Sequence, residues 1–536
     1  MTQMHSCDLK ILAAQFNPIV GAIANNAERI KTIILHNQEQ HHIIVFPELA
    51  LTGYPLEDVL FRSNIKQYIT LALQDLALCI QDCYVVIGHP EFNNGQCYNA
   101  ASVFYDGTRR YCYYKQRLPN FGVFDELRYF TPGPAKPCIF NLDTYRIGVC
   151  ICEDIWHIEP IKQLIDQQIN VLLCINASPY ETQKYSQRLN ILQKHAKQGI
   201  IVVYVNMVGG QDELIFDGQS LGLDSQGDIC TRLPAFIEDN ASIVINQYKL
   251  CGPMTPLLSL EANIYQALCL SVHDYIEKHG IPSVILGLSG GIDSALTLAI
   301  AVDALGASRV RAIIMPSRYN NSISLEDAVQ QTTSMQVQHT VIPIESAFIT
   351  ILDMLSPVFD NLPHDVTEEN LQARIRGLIL MAISNKFGSM VLTTSNKSEI
   401  AVGYTTLYGD MAGGFNVLKD IYKTQVYALA QYRNSLRQII PLRVISRPAS
   451  AELAENQTDQ DSLPPYIVLD KIIQLYMEDN LDSNTIITQG YAAEIVMKVI
   501  SMLKRNEYKR RQAPVGPKIT NRSFGKEWRY PITNQY

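Results

Sequence analysis

Residues 286–297 read LGLSGGIDSALT, in which an apolar run, a turn rich in glycine and serine, and the start of a helical pattern follow one another directly. Glycines let several backbone amides converge on one anion, and the positive end of the following helix favours negative charge. We therefore expect a phosphate group at this junction. The segment lacks the lysine of a GxxxxGK[ST] loop, so it is not a Walker A motif.

The same segment opens a regular alternation of strand and helix patterns. The predicted strands are 284–288, 310–315, 340–344 and 390–394, and the predicted helices are 294–305 and 325–335. Such alternation is typical of a doubly wound, Rossmann-like parallel sheet, which binds ligands at the carboxyl ends of its strands.

The first half of the chain has shorter apolar runs and fewer helical patterns, which indicate a layered α/β domain. The predicted strands are 9–16, 43–46, 84–88, 146–151, 171–175 and 200–205, and the predicted helices are 25–38 and 186–198. Between the halves, KLCGPMTPLLS (249–259) combines a glycine with two prolines and indicates a linker. We therefore predict domains at 1–248 and 261–536, joined by a linker at 249–260.

The composition is that of a globular protein, with 47% hydrophobic and 18% charged residues. A net charge of −8 argues against a general nucleic-acid binder. No apolar run is long enough to cross a bilayer, so we expect a cytoplasmic protein with no membrane partner and with reduced thiols. A basic cluster from Lys504 to Arg529 is either a solvated tail or part of a ligand site.

Three loops in the first half each carry one reactive group. Glu48 lies in FPELALTGYP, Lys115 in YYKQRLPNFGVFDE and Cys152 in IGVCICEDIW. A neutral thiol needs a base within hydrogen-bond reach, and a glutamate can act as that base. A lysine ammonium can stabilise the oxyanion that forms when a thiol attacks an amide. Together these groups predict an amidase.

These three segments resemble the nitrilase or carbon-nitrogen hydrolase superfamily, over nearly the whole of residues 1–248. The resemblance implies an α-β-β-α sandwich and a catalytic set of Glu48, Lys115 and Cys152, with Cys152 forming a thioester. Glu126, in FDELRYF, is then the supporting second carboxylate. The alternative nucleophile Cys150 is disfavoured because only Cys152 is followed by the acidic pair that ends the strand.

The glutamine-hydrolysing branch of that superfamily implies three contacts to the substrate. Phe121 stands where this branch usually has a tyrosine, so any contact there is through its ring or backbone. Ser178 and Lys184, in NASPYETQK, match the positions that bind the amino-acid head of glutamine. Lys184 is otherwise read as a surface charge.

The SGGxDS pattern resembles the ATP pyrophosphatase superfamily, which cleaves ATP between the α- and β-phosphates. The resemblance implies an ATP-binding turn whose residues are Gly287, Leu288, Ser289, Gly290, Gly291, Ile292, Asp293 and Ser294. A carboxylate inside a phosphate-binding turn is most simply explained as a Mg²⁺ ligand, and we assign that role to Asp293.

Further segments resemble those of NAD synthetases, in order, over almost all of 260–530. They are MPSRYNNSIS, NLQARIRG, LTTSNKSE, YGDMAGGFNVLKDIYKTQV and SRPASAEL. By position, Thr394 contacts ATP, and Asn370, Glu399 and Lys509 bind the deamido dinucleotide. Glu399 is alternatively a second Mg²⁺ ligand.

Four further residues near these segments have two interpretations each. Asn320 and Asn321 stand where the family often has serines, and their amides can replace the hydroxyls as donors. Arg374 and Arg376 are either helix-surface charges or phosphate ligands.

Together the resemblances imply an enzyme that amidates deamido-NAD with ATP, using ammonia from glutamine hydrolysed at Cys152. They also imply a homo-oligomer, at least a dimer through the second domain. The alternative enzyme is another ATP-pyrophosphatase amidotransferase, such as a guanylate or asparagine synthetase. The alternative of another class is a non-catalytic nucleotide-binding or scaffold protein.

Overall fold

A computed structural model describes residues 8–360, 362–455 and 457–534. The chain divides into two compact units, each described by itself below. The first runs up to Gln211 and includes Ile215–Leu258, and the second comprises Asp212–Leu214 and continues from Ser259. In the described residues, no helix has the length and apolar character needed to cross a membrane.

The first unit is built mainly of strands. They are β1 (Leu9–Gln15), β2 (Ile43–Val45), β3 (Tyr84–Asn93), β4 (Gln96–Tyr105), β5 (Thr108–Tyr114), β6 (Cys138–Leu142), β7 (Tyr145–Ile151), β8 (Val171–Asn176), β9 (Ile201–Asn206), β10 (Val208–Gln211), β11 (Leu214–Asp217), β12 (Leu221–Leu223), β13 (Ile229–Arg232), β14 (Asp239–Asn246) and β15 (Lys249–Cys251). Its helices are α1 (Ile23–Asn37), α2 (Ile65–Leu78), α3 (Ile158–Ile165) and α4 (Lys184–Ala196).

All of these strands except β10 and β11, which pair with each other, form two large mixed sheets packed face to face. One has the order β15-β14-β1-β2-β3-β4-β5 and the other β13-β12-β9-β8-β7-β6. Their inner faces share one apolar cluster, to which Val45, Val86, Val149 and Val203 belong. Helices α1 and α2 cover one outer face, and α3 and α4 cover the other. The predicted α-β-β-α sandwich is confirmed.

The predicted linker overlaps the edge of this sandwich. Lys249–Cys251 form β15, which pairs antiparallel with β14 through Ile245 and Leu250. Leu250 is buried in the core between the sheets, so these three residues belong to the sheet. Residues 252–258 contain no helix and no named strand.

The second unit holds one sheet and many helices. Its strands are β16 (Val284–Gly287), β17 (Val310–Ile314), β18 (Gln338–Val341), β19 (Met390–Thr393) and β20 (Phe415–Asn416). Its helices are α5 (Leu260–Lys278), α6 (Ile292–Leu305), α7 (Ser322–Ser334), α8 (Glu345–Phe359), α9 (Val366–Phe387), α10 (Lys397–Val402), α11 (Lys423–Leu436), α12 (Leu442–Ser446), α13 (Tyr466–Met477), α14 (Ser483–Thr488), α15 (Ala493–Arg505) and α16 (Glu507–Arg510).

The sheet of the second unit is parallel throughout, in the order β18-β17-β16-β19-β20. The predicted doubly wound sheet is therefore confirmed. The edge strand β18 begins at Gln338, outside the apolar run 340–344, because an edge strand with exposed positions needs no continuous apolar sequence. From β16 the chain adds β17 and β18 on one side of the sheet, and it then adds β19 and β20 on the other side. The carboxyl end of β16 is therefore the expected ligand position.

The basic C-terminal segment is folded and partly buried. Arg510 is 7% exposed and pairs with Glu507, and Lys518 is 1% exposed. Phe524 and Trp528 belong to the apolar core formed with α10, α13 and α15. The interpretation as a solvated tail is therefore wrong, because its aromatic residues belong to that core and Arg510 and Lys518 are buried.

Candidate active sites

In the first unit a buried lysine lies between two buried glutamates. Lys115, which directly follows β5, places its Nζ 2.7 Å from Glu48 Oε1 and 2.8 Å from Glu126 Oε1. All three side chains are less than 5% exposed. Burial opposes the charge on Lys115, but the two carboxylates outweigh it and raise the pKa of this lysine well above its usual value. The charged ammonium is therefore the favoured form at neutral pH.

The two glutamates are fixed by further donors. Asn99 Nδ2 donates to Glu48 Oε1 at 2.7 Å, and the backbone amide of Ala177 donates to Glu48 Oε2 at 2.8 Å. Tyr54 donates its hydroxyl to Glu126 Oε1 at 2.9 Å. Burial raises the pKa of Glu126 to about 7, against the opposing charge of Lys115. The cluster is a preorganised arrangement of charges in a water-poor site.

Cys152 stands where β7 ends and a short 3₁₀ turn, Cys152–Trp156, begins. Its φ of 42° is in the left-handed region, which turns its side chain into the core between the sheets. Cys150 packs in the core under α3 and α4 instead, so the two thiols do not share an environment although they are two residues apart. The positive φ explains why strand alternation fails at this point.

The Cys152 thiol is neutral in the resting protein. Burial raises the pKa of Cys152 well above its usual value, and the negative charge of Glu48 raises it further, while Lys115 acts in the opposite sense. A neutral thiol in this position needs a base during attack on a carbonyl. Glu48, whose charge acts on the thiol, suits that role, and Lys115 suits stabilisation of the oxyanion.

Asp154 is a structural residue of this site that the sequence reasoning passed over. Its Oδ1 accepts the backbone amides of Gln116 and Arg117 at 3.0 and 2.8 Å. Its Oδ2 accepts the Tyr113 hydroxyl at 2.9 Å. The carboxylate thus joins the Cys152 turn to the segment that carries Lys115. An acidic residue two positions after a candidate nucleophile was the available signal.

The three predicted glutamine contacts have different environments. Ser178 is buried, and its Oγ accepts a hydrogen bond from Arg188 Nε at 3.0 Å. Lys184 begins α4 and places its Nζ 5.1 Å from the centre of the Trp156 ring. Phe121 is 58% exposed and makes an edge contact with Phe124.

In the second unit, the SGGxDS segment forms the expected turn between β16 and α6. Gly290 has a φ of +80°, and a Cβ there would lie 2.2 Å from the carbonyl oxygen of Ser324. Only glycine fits this approach. Ser289 Oγ accepts the Gly291 amide at 3.1 Å, and Ser294 Oγ donates to the Gly291 carbonyl at 3.0 Å. These hydrogen bonds hold the turn at the start of the helix.

This turn lines a cavity of about 900 Å³ at the carboxyl end of the sheet. Of the predicted ATP residues, seven of the eight turn residues and Thr394 line it, the exception being Gly290. Glu399, Arg376 and the segment from Arg447 to Leu453 also contribute to its wall. The volume of this cavity suits a nucleoside triphosphate.

Asp293 and Glu399 are bridged by a lysine that the sequence reasoning did not select. Lys423, the first residue of α11, places its Nζ 2.5 Å from Asp293 Oδ2 and 3.2 Å from Glu399 Oε1. Asn396 Nδ2 donates to Asp293 Oδ1 at 2.8 Å. Burial raises the pKa of Glu399 to about 8, with Lys423 opposing the shift and Asp293 adding to it. Two oxygen ligands at a phosphate-binding turn fit the preference of Mg²⁺.

Two of the predicted dinucleotide residues, Asn370 and Lys509, meet at one loop outside the cavity wall, whereas Glu399 lines the cavity. Asn370 Oδ1 accepts the Thr406 hydroxyl at 2.7 Å. Lys509 Nζ donates to the carbonyls of Gly403 and Thr405, both at 2.8 Å. The structure therefore brings together Asn370 and Lys509, which are far apart in sequence.

The two arginines of α9 differ in environment. Arg374 is exposed and donates to the Leu407 carbonyl at 3.3 Å. Arg376 lines the cavity and donates to the Met315 carbonyl at 3.0 Å and to Asn320 Oδ1 at 3.2 Å. Burial lowers the pKa of Arg376 to about 10. Asn321 instead caps α7, accepting the Ile323 amide at 3.0 Å.

Comparison with known proteins gives a match for each unit. Residues 10–250 match the carbon-nitrogen hydrolase family, and residues 264–513 match the NAD synthase family. The glutamine-dependent NAD(+) synthetase of Acinetobacter baylyi is 47% identical over 534 residues, which cover 98% of each chain. That of Aquifex aeolicus is 41% identical over 568 residues, covering 98% of this chain and 100% of the relative.

A solved structure is similar over the same length. It is the glutamine-dependent NAD+ synthetase from Acinetobacter baumannii in complex with adenosine diphosphate, at 46% identity and a TM-score of 0.81. The similarity covers 98% of this chain and 99% of that one.

Proposed function

The chain belongs to the family of glutamine-dependent NAD(+) synthetases, and on that premise we propose that it converts deamido-NAD, ATP, glutamine and water to NAD, AMP, pyrophosphate and glutamate. One observation carries the proposal: the chain holds both a buried thiol beside a lysine–glutamate cluster and an SGGxDS turn that opens on a nucleotide-sized cavity.

In the first unit, Glu48 takes the Cys152 proton as the sulfur attacks the side-chain carbonyl of glutamine. The negative oxygen of the tetrahedral adduct is stabilised by Lys115, which Glu48 and Glu126 hold in place. Collapse expels ammonia, which gains the proton held by Glu48, and leaves a thioester on Cys152. Water, deprotonated by Glu48, then releases glutamate and restores the thiol.

In the second unit, ATP activates the nicotinate carboxylate of deamido-NAD. A carboxylate oxygen attacks the α-phosphate, pyrophosphate leaves, and an acyl adenylate forms. Ammonia then attacks the acyl carbon and AMP leaves with the carboxylate oxygen. The amides and hydroxyls of the Ser289–Ser294 turn are suited to the phosphates, and Asn370 and Lys509 to the deamido dinucleotide.

We assign Mg²⁺ to Asp293 and Glu399. When bound, the ion offsets the charge of the triphosphate and of the departing pyrophosphate. In this structure the Lys423 ammonium pairs with both carboxylates, so it lies at the oxygen atoms that would hold the metal ion.

We also propose a homodimer formed through the second unit. Helix α8 lies wholly within the described residues, and Phe348 is its only buried residue although most of its sequence is apolar. Met354 and Val358 on α8, and Leu378 on α9, are 71%, 75% and 68% exposed. Exposed apolar side chains on two helices suit a protein interface, and a second copy is the expected partner. Sedimentation of the purified chain at twice its monomer mass tests this.

The function is tested by measuring AMP formation from ATP with glutamine and one candidate acceptor at a time. We expect AMP with deamido-NAD and none with xanthylate or aspartate. AMP formation with xanthylate or aspartate alone would establish a different amidotransferase, and no AMP with any acceptor would favour a binding protein.

A further inference from the structure

Arg188, on α4, is buried and uses every donor of its guanidinium. Its Nη1 donates to both oxygens of Asp217, at 2.8 and 2.9 Å. Its Nη2 donates to the carbonyls of Ser178 and Pro179, at 2.8 and 2.9 Å. Its Nε donates to Ser178 Oγ at 3.0 Å. A guanidinium has five N–H groups, so none is left for a substrate.

Asp217 neutralises this cation inside the protein. The two side chains are 2% and 1% exposed, and both carboxylate oxygens accept from the same nitrogen, Nη1. Asn206 and Gln219 also donate to Asp217, at 3.3 and 3.0 Å. Removing one partner would leave the other charge buried and unpaired, so the pair acts as a unit. Because its charge is paired with Asp217, Arg188 acts on its surroundings by fixing the positions of the groups that it hydrogen-bonds.

The Arg188 guanidinium determines whether the Ser178 hydroxyl donates or accepts toward a ligand. A hydroxyl has one hydrogen to donate and two lone pairs that accept. Because Ser178 Oγ accepts from Arg188, its hydrogen points away from the guanidinium. Among the described residues none accepts that hydrogen, so the hydroxyl can donate to a ligand. Such a hydroxyl can donate its hydrogen to a carboxylate.

The same segment also holds the catalytic base. The amide of Ala177 donates to Glu48 Oε2 at 2.8 Å. The next residue, Ser178, has the carbonyl that accepts a hydrogen bond from Arg188 Nη2. Fixing the backbone of Ser178 and Pro179 therefore keeps the substrate-binding hydroxyl in register with Glu48.

Building on the proposed function, we propose that Arg188, held by Asp217, is a positioning residue for glutamine recognition, which makes Ser178 a hydrogen-bond donor for the α-carboxylate of glutamine. The Arg188–Asp217 pair does not touch glutamine. It governs selection for the carboxylate, and leaves selection for the α-amino group to other residues.

The test compares three substrates in the full-length enzyme. They are glutamine, 4-aminobutanamide, which lacks the α-carboxylate, and glutaramic acid, which lacks the α-amino group. In Arg188→Lys we expect kcat/KM for glutamine to fall about tenfold or more, mostly through KM, because a hydrogen bond to a charged group is weakened. The rate with 4-aminobutanamide should stay within about twofold. The preference for glutamine over glutaramic acid should be unchanged.

Ser178→Ala supplies an independent arm because it leaves the Arg188–Asp217 pair intact. It should lose the same preference for glutamine over 4-aminobutanamide, and adding Arg188→Lys to it should cause little further loss of that preference. The exposed Arg110→Lys is the matched control, and ammonium-supported NAD synthesis reports whether each variant is folded.

Two results would overturn the inference. One is an equal fall of both rates, on glutamine and on 4-aminobutanamide, in Arg188→Lys, which would make Arg188 a scaffold residue only. The other is an unchanged preference in Ser178→Ala, which decides the matter even if Arg188→Lys does not fold. A wild-type enzyme that hydrolyses no glutamine contradicts the proposed function itself.

Discussion

Each unit of this chain has a buried lysine between two carboxylates, and the two clusters differ in what surrounds them. Lys115 lies between Glu48 and Glu126, whose side chains are 1% and 4% exposed. Lys423 lies between Asp293 and Glu399, whose side chains are 17% and 16% exposed and line the large cavity.

The difference separates two uses of the same charge arrangement. The closed cluster has its hydrogen bonds supplied by protein groups such as Asn99, Tyr54 and the Ala177 amide, so the substrate finds the charges already in place. The open cluster has carboxylate surface free for a ligand. Its lysine pairs with both carboxylates, at the oxygen atoms that we propose for Mg²⁺.

The largest expected effect separates the clusters completely. Cys152→Ala should abolish NAD synthesis from glutamine and leave synthesis from added ammonium within about twofold, because the thiol takes no part in carboxylate activation. The measurement is NAD formation with each nitrogen donor. The exposed Cys251→Ala is the matched control and should behave as wild type with both donors. Equal loss of both activities would refute the two-site description.

Asp293→Asn tests the open cluster. It removes a charge beside the triphosphate and keeps the shape of the side chain. We expect synthesis to fall about a hundredfold or more with either nitrogen donor, since metal stabilisation of phosphoryl charge is worth several kcal/mol. Glutamate release should persist, and NAD formation followed across a Mg²⁺ titration should recover only in part.

The exposed Asp479→Asn removes the same charge elsewhere in the second unit and should leave both activities unchanged. Wild-type NAD formation by Asp293→Asn, with an unshifted Mg²⁺ dependence, would take Asp293 out of the metal site. The Lys423 cluster would then be structural, whereas the Lys115 cluster would keep its proposed role.

Glu126 gives the closed cluster a pH dependence. Burial raises the pKa of Glu126 to about 7, so it loses its charge as the pH falls through neutrality, and its hold on Lys115 weakens. Glutaminase activity should therefore decline on the acid side with a midpoint near pH 7. Glu126→Gln removes the titrating group.

At pH 8 this variant should be about ten- to a hundredfold slower, the value of a charge-assisted hydrogen bond, and the acid decline near neutrality should disappear. The exposed Glu28→Gln is the control and should keep the wild-type pH profile. If Glu126→Gln kept the same acid midpoint, the decline in glutaminase activity would come from the titration of another group.

Local patterns predicted the elements that carry the sites, because strand and helix periodicity and the glycine turn are local properties. They could not predict contacts made by side chains that look ordinary in sequence. The sequence around Arg188 and Asp217 does not indicate that they are buried, and only the fold brings them to Ser178. Lys423 lies in a segment that carries the family resemblance, yet its link to Asp293 spans 130 residues.

Backbone geometry limited the prediction at Cys152. Alternation along a strand places Cys150 and Cys152 on one face, but the strand ends at Ile151 and the positive φ at Cys152 redirects the second thiol. A sequence contains no direct signal for that dihedral in a residue other than glycine. The sequence left two interpretations of the basic C-terminal segment open for a related reason, because the aromatic residues that anchor it are separated from their core partners in the chain.

The smallest expected effect concerns Lys509, whose Nζ donates to the carbonyls of Gly403 and Thr405 in the second unit. Truncation before this residue would remove Phe524 and Trp528 from the core, so a point substitution is the cleaner test. Burial lowers the pKa of Lys509, and its ammonium is held by two carbonyls that leave one donor for a ligand. Lys509→Gln should raise KM for deamido-NAD about three- to tenfold, because the site is half open and the lost charge is partly screened by solvent. The KM for ATP should not change, and neither should the rate of glutamine hydrolysis.

The exposed Arg505→Gln, four residues away with the same loss of charge, is the control and should leave all three quantities at wild-type values. An equal rise of KM for deamido-NAD in both variants would make the effect one of general charge, and would remove Lys509 from the dinucleotide site.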